Sequence, residues 1–480
     1  MAQEQNFTMS NERPSQVIKR LRKAGNLDQA WEFGVGEVQR SPNDNYLKGA
    51  FFWVCYDYLK SVQNPIIERG KTSKNYAPQE HEKNIISQYL DWVQWLNLPV
   101  SGLEYSRLLI LFRNNAEYFP QIINLVLTHR LSLFDEEART PFALEKGEMP
   151  SLLLSYARKL GQSWIEGRNR SEINLEALLY FMNEARAACK DRQHIMWLDY
   201  DQAKCLVLAK RYAEARELVI PILKKKQRES WAWGALASTY RESDLDAAIS
   251  LYSQGVNCAH DDSFALPLLR ALVLLFKSKG LTNEASMCLK RALACYEEKG
   301  WRVKPDLQSL QAEPWYVPDV DLKQLPSVLN HYSKNAIKYL HGETVKKVGL
   351  VVAIHQSKKG CNVYLAPRAI VSVPMFTIKG TKPKIGDYLQ LEVPADDVNG
   401  DIISAKIVES ESLEGVSLIM GELRVTEKGF GFVNDVFIPP YLINEHMNAK
   451  VVEVLCYTDL DRKKGVLGQK AATVRVVNVG

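Results

Sequence analysis

Two hydrophobic periods divide the chain. From about residue 14 to residue 298, apolar residues recur every three or four positions, which predicts helices nearly throughout. From residue 345 onward, apolar and polar residues alternate between glycine, proline and Asn-Gly turns, which predicts short strands. The chain is therefore predicted to be a multidomain protein with an α-helical region followed by an all-β region.

The clearest internal repeat lies between residues 197 and 296. Tryptophan, leucine, alanine and tyrosine recur there at the spacing that opens a tetratricopeptide (TPR) unit, at Trp233, Leu236, Ala237 and Tyr240. One helix pair cannot bury its apolar face alone, so successive pairs must stack. We therefore predict a TPR-like α-solenoid over residues 1–299. Such arrays usually bind proteins, and we expect a protein partner on its concave surface.

The repeat period is lost between residues 61 and 190. Helices are still predicted there, at residues 79–96, 101–114, 120–133, 149–165 and 175–189. Two segments, residues 64–77 and 135–147, are predicted as loops. The stretch is interpreted as a divergent continuation of the solenoid, and a separate helical domain is the alternative.

A proline-rich segment separates the two regions. Proline fixes φ and lacks an N–H donor, so residues 300–342 are predicted to form a linker with a short helix near its end. Beyond it, strands are predicted at residues 348–354, 362–365, 369–373, 388–393 and 402–408. Five short strands in this space are typical of a small oligonucleotide-binding (OB) barrel. A second set follows, so two consecutive OB-like β-barrels are predicted, over residues 343–412 and 413–480.

The second barrel carries an aromatic motif, GELRVTEKGFGFVNDVFIPP, at residues 421–440. Phe430, Phe432 and Phe437 occupy alternate positions of two short strands, so on each strand they point to one face. Aromatic rings on a strand surface beside a cation form a platform for single-stranded nucleic acid. We expect the three rings to stack on bases, while Lys428, Arg424 and Lys464 contact phosphates. The alternative interpretation is that the rings are core residues of a small barrel.

This motif resembles the two short motifs of cold-shock domains. It is most similar to the cold-shock domain at the front of RNase II and RNase R, over about 60 residues. Those enzymes also hold a cluster of magnesium-binding aspartates that this sequence lacks, so the resemblance implies RNA binding without hydrolysis. The layout of TPR repeats followed by an S1/cold-shock barrel is similar to proteins of bacterial conflict, or antiphage, systems.

The first barrel has candidate binding residues of its own but no GFGF-type run. These candidates are Tyr364, Arg368, Phe376, Lys379, His355 and the Lys358-Lys359 turn. A binding role and a purely structural role for this barrel both remain open at this point.

Composition narrows the class of protein. The net charge of +5 is too weak to indicate nucleic-acid binding by itself. The 8 cysteines include no Cys-x-x-Cys pair, which favours a reducing cytoplasm. The N-terminus has no apolar signal-peptide centre, and no apolar run is long enough to cross a membrane.

The sequence also lacks the common catalytic and cofactor motifs. The histidines are isolated from one another, and no P-loop, dinucleotide fingerprint or nucleophile elbow is present. We therefore predict a non-enzymatic adaptor, without metal or cofactor, that binds single-stranded RNA or DNA. The alternatives are a protein scaffold or assembly factor that binds no nucleic acid, and an enzyme of an unrecognised kind.

Overall fold

The structure is a computed structural model. It describes residues 12–145, 147–191, 194–395, 402–444, 450–461 and 465–477. The chain forms two compact units that meet in sequence between Asn330 and His331. The first unit is helical, and the second contains two curled six-stranded sheets. The predicted fold class, an α-solenoid followed by two OB-like barrels, is confirmed.

The helices follow one another with short connections over most of the first unit, and the last of them begins after the unit boundary. They are α1 (Pro14–Lys23), α2 (Leu27–Arg40), α3 (Asn45–Ser73), α4 (Glu80–Leu96), α5 (Leu103–Phe112), α6 (Pro120–His129), α7 (Leu152–Ile165), α8 (Leu175–Ala188), α9 (Ile195–Leu208), α10 (Tyr212–Lys225), α11 (Ser230–Ser238), α12 (Leu245–Asn257), α13 (Asp262–Ser278), α14 (Thr282–Glu298), α15 (Pro305–Gln311), α16 (Leu325–Tyr332) and α17 (Ala336–His341).

The predicted repeat corresponds to three successive helix pairs, α9–α10, α11–α12 and α13–α14. Trp233 is buried, and its indole N–H donates a hydrogen bond to the Gln227 carbonyl at 2.7 Å. Gly255 allows the next pair to approach closely, because a Cβ there would lie 2.4 Å from the Leu268 side chain. Small residues at helix contacts therefore permit the stacking that the repeat requires.

One predicted loop is wrong. Residues 64–73 continue α3 through Pro65 instead of forming a loop. Burial outweighs the hydrogen bond that proline removes. Gln63 and Asn115 exchange buried side-chain hydrogen bonds of 2.7 and 3.1 Å, and Gly70 packs under the ring of Tyr76.

The other predicted loop contains a small hairpin. Strands β1 (Phe142–Leu144) and β2 (Gly147–Met149) pair in antiparallel fashion. The remaining helices of the divergent stretch, α4 to α8, lie where the apolar period predicts them, with ends that differ by a few residues.

The proline-rich segment packs onto the solenoid before the unit boundary. Leu307 and Leu310 of α15 are buried. The indole N–H of Trp315 donates to Glu313, and the Lys277 ammonium lies 5.6 Å from the Trp315 ring centre. The proline-rich segment therefore forms short helices and is not fully extended.

The strands of the second unit form two separate sheets. The first consists of β3 (Thr344–Ile354), β4 (Gly360–Ala366), β5 (Ala369–Pro374), β6 (Ile378–Lys379), β7 (Tyr388–Pro394) and β8 (Ser404–Val408). The second consists of β9 (Val416–Glu422), β10 (Arg424–Val425), β11 (Gly431–Val433), β12 (Val436–Ile438), β13 (Val451–Asp461) and β14 (Val466–Val476).

Each sheet curls because one bent segment of the chain supplies the strands at both of its edges. In the first sheet, the order is β5-β4-β3-β7-β8-β6, and β6 follows β5 after a single turn. In the second, the order is β10-β11-β12-β14-β13-β9, and β9 and β10 flank the buried Leu423. The two edge strands are thus parts of one bent segment, as in an OB barrel.

Each barrel has its own apolar core. The first core consists of Val351, Cys361, Val363, Val373, Leu389, Leu391, Val393 and Ala405. The second consists of Leu423, Val433, Val436, Ile438, Val452, Val454, Cys456 and Ala471.

The two barrels also pack against each other within the second unit. Leu350, Val352 and Tyr364 of the first barrel share a buried cluster with Ala472 of the second. The Tyr364 ring lies 5.3 Å from the ring of Tyr457, and its hydroxyl donates to the Glu414 carbonyl at 2.9 Å. A bulge in the β13–β14 pairing turns Ala472 toward this cluster while Ala471 stays in the barrel core.

This contact corrects one expectation about the first barrel. Tyr364 is fully buried between the barrels, so it cannot contribute to an open binding surface. Gly415 makes the approach possible, because a Cβ there would lie 2.4 Å from the Tyr364 hydroxyl.

Removing the Tyr364 ring should loosen both barrels. Truncation of a buried aromatic side chain costs about 3–5 kcal/mol, so Tyr364→Ala should lower the opening free energy of β4 and β13 by about 3 kcal/mol. Tyr364→Phe removes only the hydrogen bond to Glu414 and should cost about 1 kcal/mol. Hydrogen–deuterium exchange measures both effects strand by strand. Unchanged protection of β13 in Tyr364→Ala would contradict the packing.

Candidate nucleic-acid interface

A tight hairpin sets the direction of two aromatic rings. Strands β11 and β12 pair in antiparallel fashion with Phe432 directly opposite Phe437. The two-residue turn begins at Asn434 in the left-handed conformation, with φ of 52°. The flanking residues Val433 and Ile438 are buried in the barrel core. Successive side chains of a strand point to opposite faces, so both rings lie on the outer face, where each is 38% exposed.

Phe430 completes a cluster of three rings. Its ring centre lies 5.8 Å from that of Phe432 and 5.5 Å from that of Phe437, and the latter two are 5.9 Å apart. The turn before it is fixed by Thr426, whose backbone N–H and hydroxyl both donate to the Phe430 carbonyl, at 2.7 and 2.8 Å. Gly429 supplies the positive φ, 81°, that this turn requires.

Cations flank the rings on the neighbouring strands. Arg424 of β10 pairs with Phe432 in register, and Lys470 of β14 pairs with Phe437. We call these four residues, Arg424, Phe432, Phe437 and Lys470, the aromatic row. At about 4.8 Å per strand, the row extends for about 14 Å across the sheet.

The other two predicted cations are Lys428 and Lys464. Lys428 is exposed in the turn beside the rings. Within the described ranges, Arg424 and Lys428 form no ion pair, so their charge is open to an anion. Lys464 lies outside the described residues.

Lys470 is the member of the row that sequence reasoning missed. Gly468 and Lys470 lie two residues apart, a spacing typical of one face of a strand. That spacing does not reveal which other strand lies beside Lys470. The contact between β12 and β14 is parallel and joins residues that are far apart in sequence. The signal that could have found Lys470 is the strand order of an OB barrel, in which the third and last strands are adjacent.

Polar and aromatic side chains border the Lys470 end of the aromatic row. The Lys470 ammonium forms an ion pair of 2.7 Å with Asp459 of β13. Burial raises the pKa of Tyr457 to about 12, and the nearby Asp459 and Tyr441 add to this shift. Tyr457 therefore stays an uncharged phenol near neutral pH. Tyr441 is 74% exposed and adds another aromatic side chain near this end of the row.

The first barrel offers a different surface. His355 Nε2 lies 2.9 Å from the Asn362 side-chain oxygen, and Arg368 stands in the β4–β5 turn with φ of 70°. Phe376 is 70% exposed after β5. Part of the outer face of β3 and β4 is covered by the second barrel, so these residues do not share an open strand face with Tyr364.

The described residues contain no cluster of three or more histidine, cysteine or acidic side chains that could hold a metal ion. In the same ranges, no helix has the length and apolar character needed to cross a membrane. The site presents aromatic faces next to Arg424 and Lys428, which have no ion pair among the described residues, a chemistry suited to stacking and to phosphate contact.

Two family models match parts of the chain. The S1/CSD-like domain 2 of the TOTE conflict systems matches residues 417–474, which cover most of the second barrel. A domain of unknown function, DUF7017, matches residues 196–336, which contain the three repeat-like helix pairs. The predicted S1/cold-shock-like character of the second barrel is thus confirmed. The more specific likeness to RNase II and RNase R stays a prediction.

Among solved structures, the C-terminal part of a TPR repeat-containing protein from Cytophaga hutchinsonii is similar to this chain. The TM-score is 0.30 at 9% identity, and the match covers 62% of this chain and 100% of the other. No curated protein matches the sequence.

Neighbouring residues of β12 should respond differently to truncation. Ile438 is fully buried, so Ile438→Ala should lower the free energy of unfolding by about 2–5 kcal/mol. Phe437 is partly exposed and mainly loses its ring contacts, so Phe437→Ala should cost about 1 kcal/mol. Urea denaturation, monitored by hydrogen exchange of β11–β14, compares the two variants. A larger cost for Phe437→Ala would mean that the ring belongs to the core.

Proposed function

We propose that this protein is a non-catalytic adaptor of a bacterial conflict system. Its second barrel binds single-stranded nucleic acid, and its helical solenoid binds a protein partner. The observation that carries the proposal is the aromatic row, with two outward rings between Arg424 and Lys470 on adjacent strands.

The row suits an unpaired strand better than a duplex. Aromatic faces stack on bases only when those bases are not already stacked within a helix. The two outward rings offer one stacking position each, and Phe430 supports them from the side. Arg424 and Lys428 supply positive charge along the path of the backbone.

RNA is the favoured ligand. This preference rests on the resemblance of the GFGFV and VFIPP strands to the cold-shock domains of RNase II and RNase R. The match of residues 417–474 to a conflict-system domain supports a role in defence.

The solenoid has a groove that suits a peptide of the partner. A cavity of about 410 Å³ lies among helices α9, α11, α12 and α13. Its lining includes Tyr200, Trp231 and Phe264, and Phe264 is 66% exposed. Concave surfaces of stacked helix pairs commonly bind extended peptides, and exposed aromatic side chains provide their anchoring contacts.

A protein scaffold without nucleic-acid binding is the second candidate function. It is favoured by Leu418 and Met420 of β9, which are 59% and 57% exposed on the second barrel. Exposed apolar side chains on one strand can serve as a protein contact.

Replacing both outward rings distinguishes the two functions. Base stacking is worth about 1–3 kcal/mol per base, so Phe432→Ala with Phe437→Ala should weaken binding of a fluorescein-labelled uridine oligomer at least tenfold. Fluorescence anisotropy measures the dissociation constant. Leu418→Ala with Met420→Ala is the matched control and should leave this affinity unchanged.

The scaffold function makes the opposite prediction. If the parent protein binds no single-stranded RNA or DNA, or if the ring variant binds as tightly as the parent while remaining folded, the proposed nucleic-acid interface is wrong.

The salt dependence of binding should be shallow. Arg424 and Lys428 lie near the rings without an ion pair in the described residues. Each phosphate contact on a single strand contributes about −0.7 to the slope of log K against log salt, so the slope should be about −1.4, and Arg424→Gln should reduce its magnitude. Anisotropy titrations over a range of sodium chloride concentrations test this. A slope near −8 would require a large basic surface elsewhere.

A further inference from the structure

A charged pair, Asp459 and Lys470, lies beside the Phe437 end of the aromatic row. Lys470 stands next to Phe437 on the adjacent strand, and Tyr457 follows on the other side of Lys470. Asp459 lies diagonally from Lys470 on the same face and pairs in register with Gly468. A donor, an acceptor and an uncovered stretch of backbone therefore meet at one point of the sheet.

This ion pair has unused hydrogen-bonding capacity. Lys470 has three N–H donors and uses one on Asp459 at 2.7 Å. The Asp459 carboxylate accepts from Lys470 and from the Leu460 backbone N–H at 2.8 Å, which leaves further lone pairs. The side chains are 42% and 20% exposed, so a ligand can reach both.

Gly468 keeps the space beside this pair open. A Cβ built on Gly468 would meet no atom within 4 Å, and its φ is not in the left-handed region. Neither backbone strain nor packing therefore requires glycine here. A side chain added at Gly468, the in-register neighbour of Asp459, would therefore stand in open space on the outer face.

The geometry points to a base-recognition site in which Asp459 and Lys470 bind the Watson–Crick edge of guanine. This inference rests on the proposed binding of single strands by the aromatic row. Adjacent strands lie about 4.8 Å apart, so a base stacked on Phe437 directs its edge over β14 toward Lys470.

Guanine fits the pair better than the other bases do. Its edge carries one acceptor, O6, next to two donors, N1–H and the N2 amino group. A carboxylate can accept both donors, and an ammonium can donate to O6. Adenine and uracil each present a single donor group on this edge, so neither can satisfy both carboxylate oxygens and the ammonium in this arrangement. Cytosine also has one donor group.

The test uses a labelled uridine oligomer with one central position varied. Guanosine, adenosine or inosine is placed there, and the full-length protein is titrated by fluorescence anisotropy. A bidentate contact to a base is worth about 1–3 kcal/mol, so guanosine should bind about tenfold more tightly than adenosine. Inosine lacks the N2 amino group and should lose several-fold of this advantage.

Two variants attribute the preference to the Asp459–Lys470 pair and the open space beside it. Asp459→Asn keeps the size of the side chain but removes the charge, and it should reduce the guanosine preference to less than about twofold. This variant should also bind the guanosine and inosine oligomers with equal affinity. Gly468→Val fills the open space and should remove the preference while leaving affinity for the all-uridine oligomer unchanged. Melting temperatures close to that of the parent establish that both variants are folded.

The outcomes separate this inference from the proposed function. Equal affinity for guanosine and adenosine oligomers, with binding still lost on replacing Phe432 and Phe437, would overturn base recognition alone. An unaltered guanosine preference in Asp459→Asn would do the same. Absence of binding to every oligomer would overturn both proposals.

Discussion

The candidate site depends on the alternation of side chains along one short hairpin. Val433, Val436 and Ile438 fill the core of the second barrel, so their neighbours Phe432 and Phe437 must face outward. A shift of register by one residue would exchange the two sets and bury the rings. Burial of the small aliphatic side chains is thus what fixes the aromatic surface.

The two barrels contribute differently although their topology is the same. Part of the outer face of the first barrel is covered by the second, with Tyr364 against Tyr457 and Ala472. On the second barrel, this contact involves Tyr457, which pairs with Lys470 at one end of the aromatic row. The rest of the row lies on strands beyond Lys470, away from the contact. The first barrel therefore supports the second and borders the end of the row, whatever further surface it offers.

Local sequence predicted the elements well because their periods are strong. The repeat helices and the strands of the first barrel lie close to their predicted positions, and Phe432 and Phe437 share one strand face, as alternation predicts. Non-local contacts account for the failures. Pro65 stays helical because α3 buries residues on both sides of it. Tyr364 is only a candidate binding residue by sequence because nothing local indicates that the second barrel packs over it, and Lys470 depends on a parallel contact with a distant strand.

In the proposed complex, unpaired nucleotides lie directly on the outward rings. Ultraviolet cross-linking of single-stranded RNA to the full-length protein, followed by mass spectrometry, tests this contact without any substitution. One set of cross-linked peptides should contain Phe432 or Phe437, and a second set should contain Lys470. Cross-links confined to the helical solenoid or to the first barrel would contradict it.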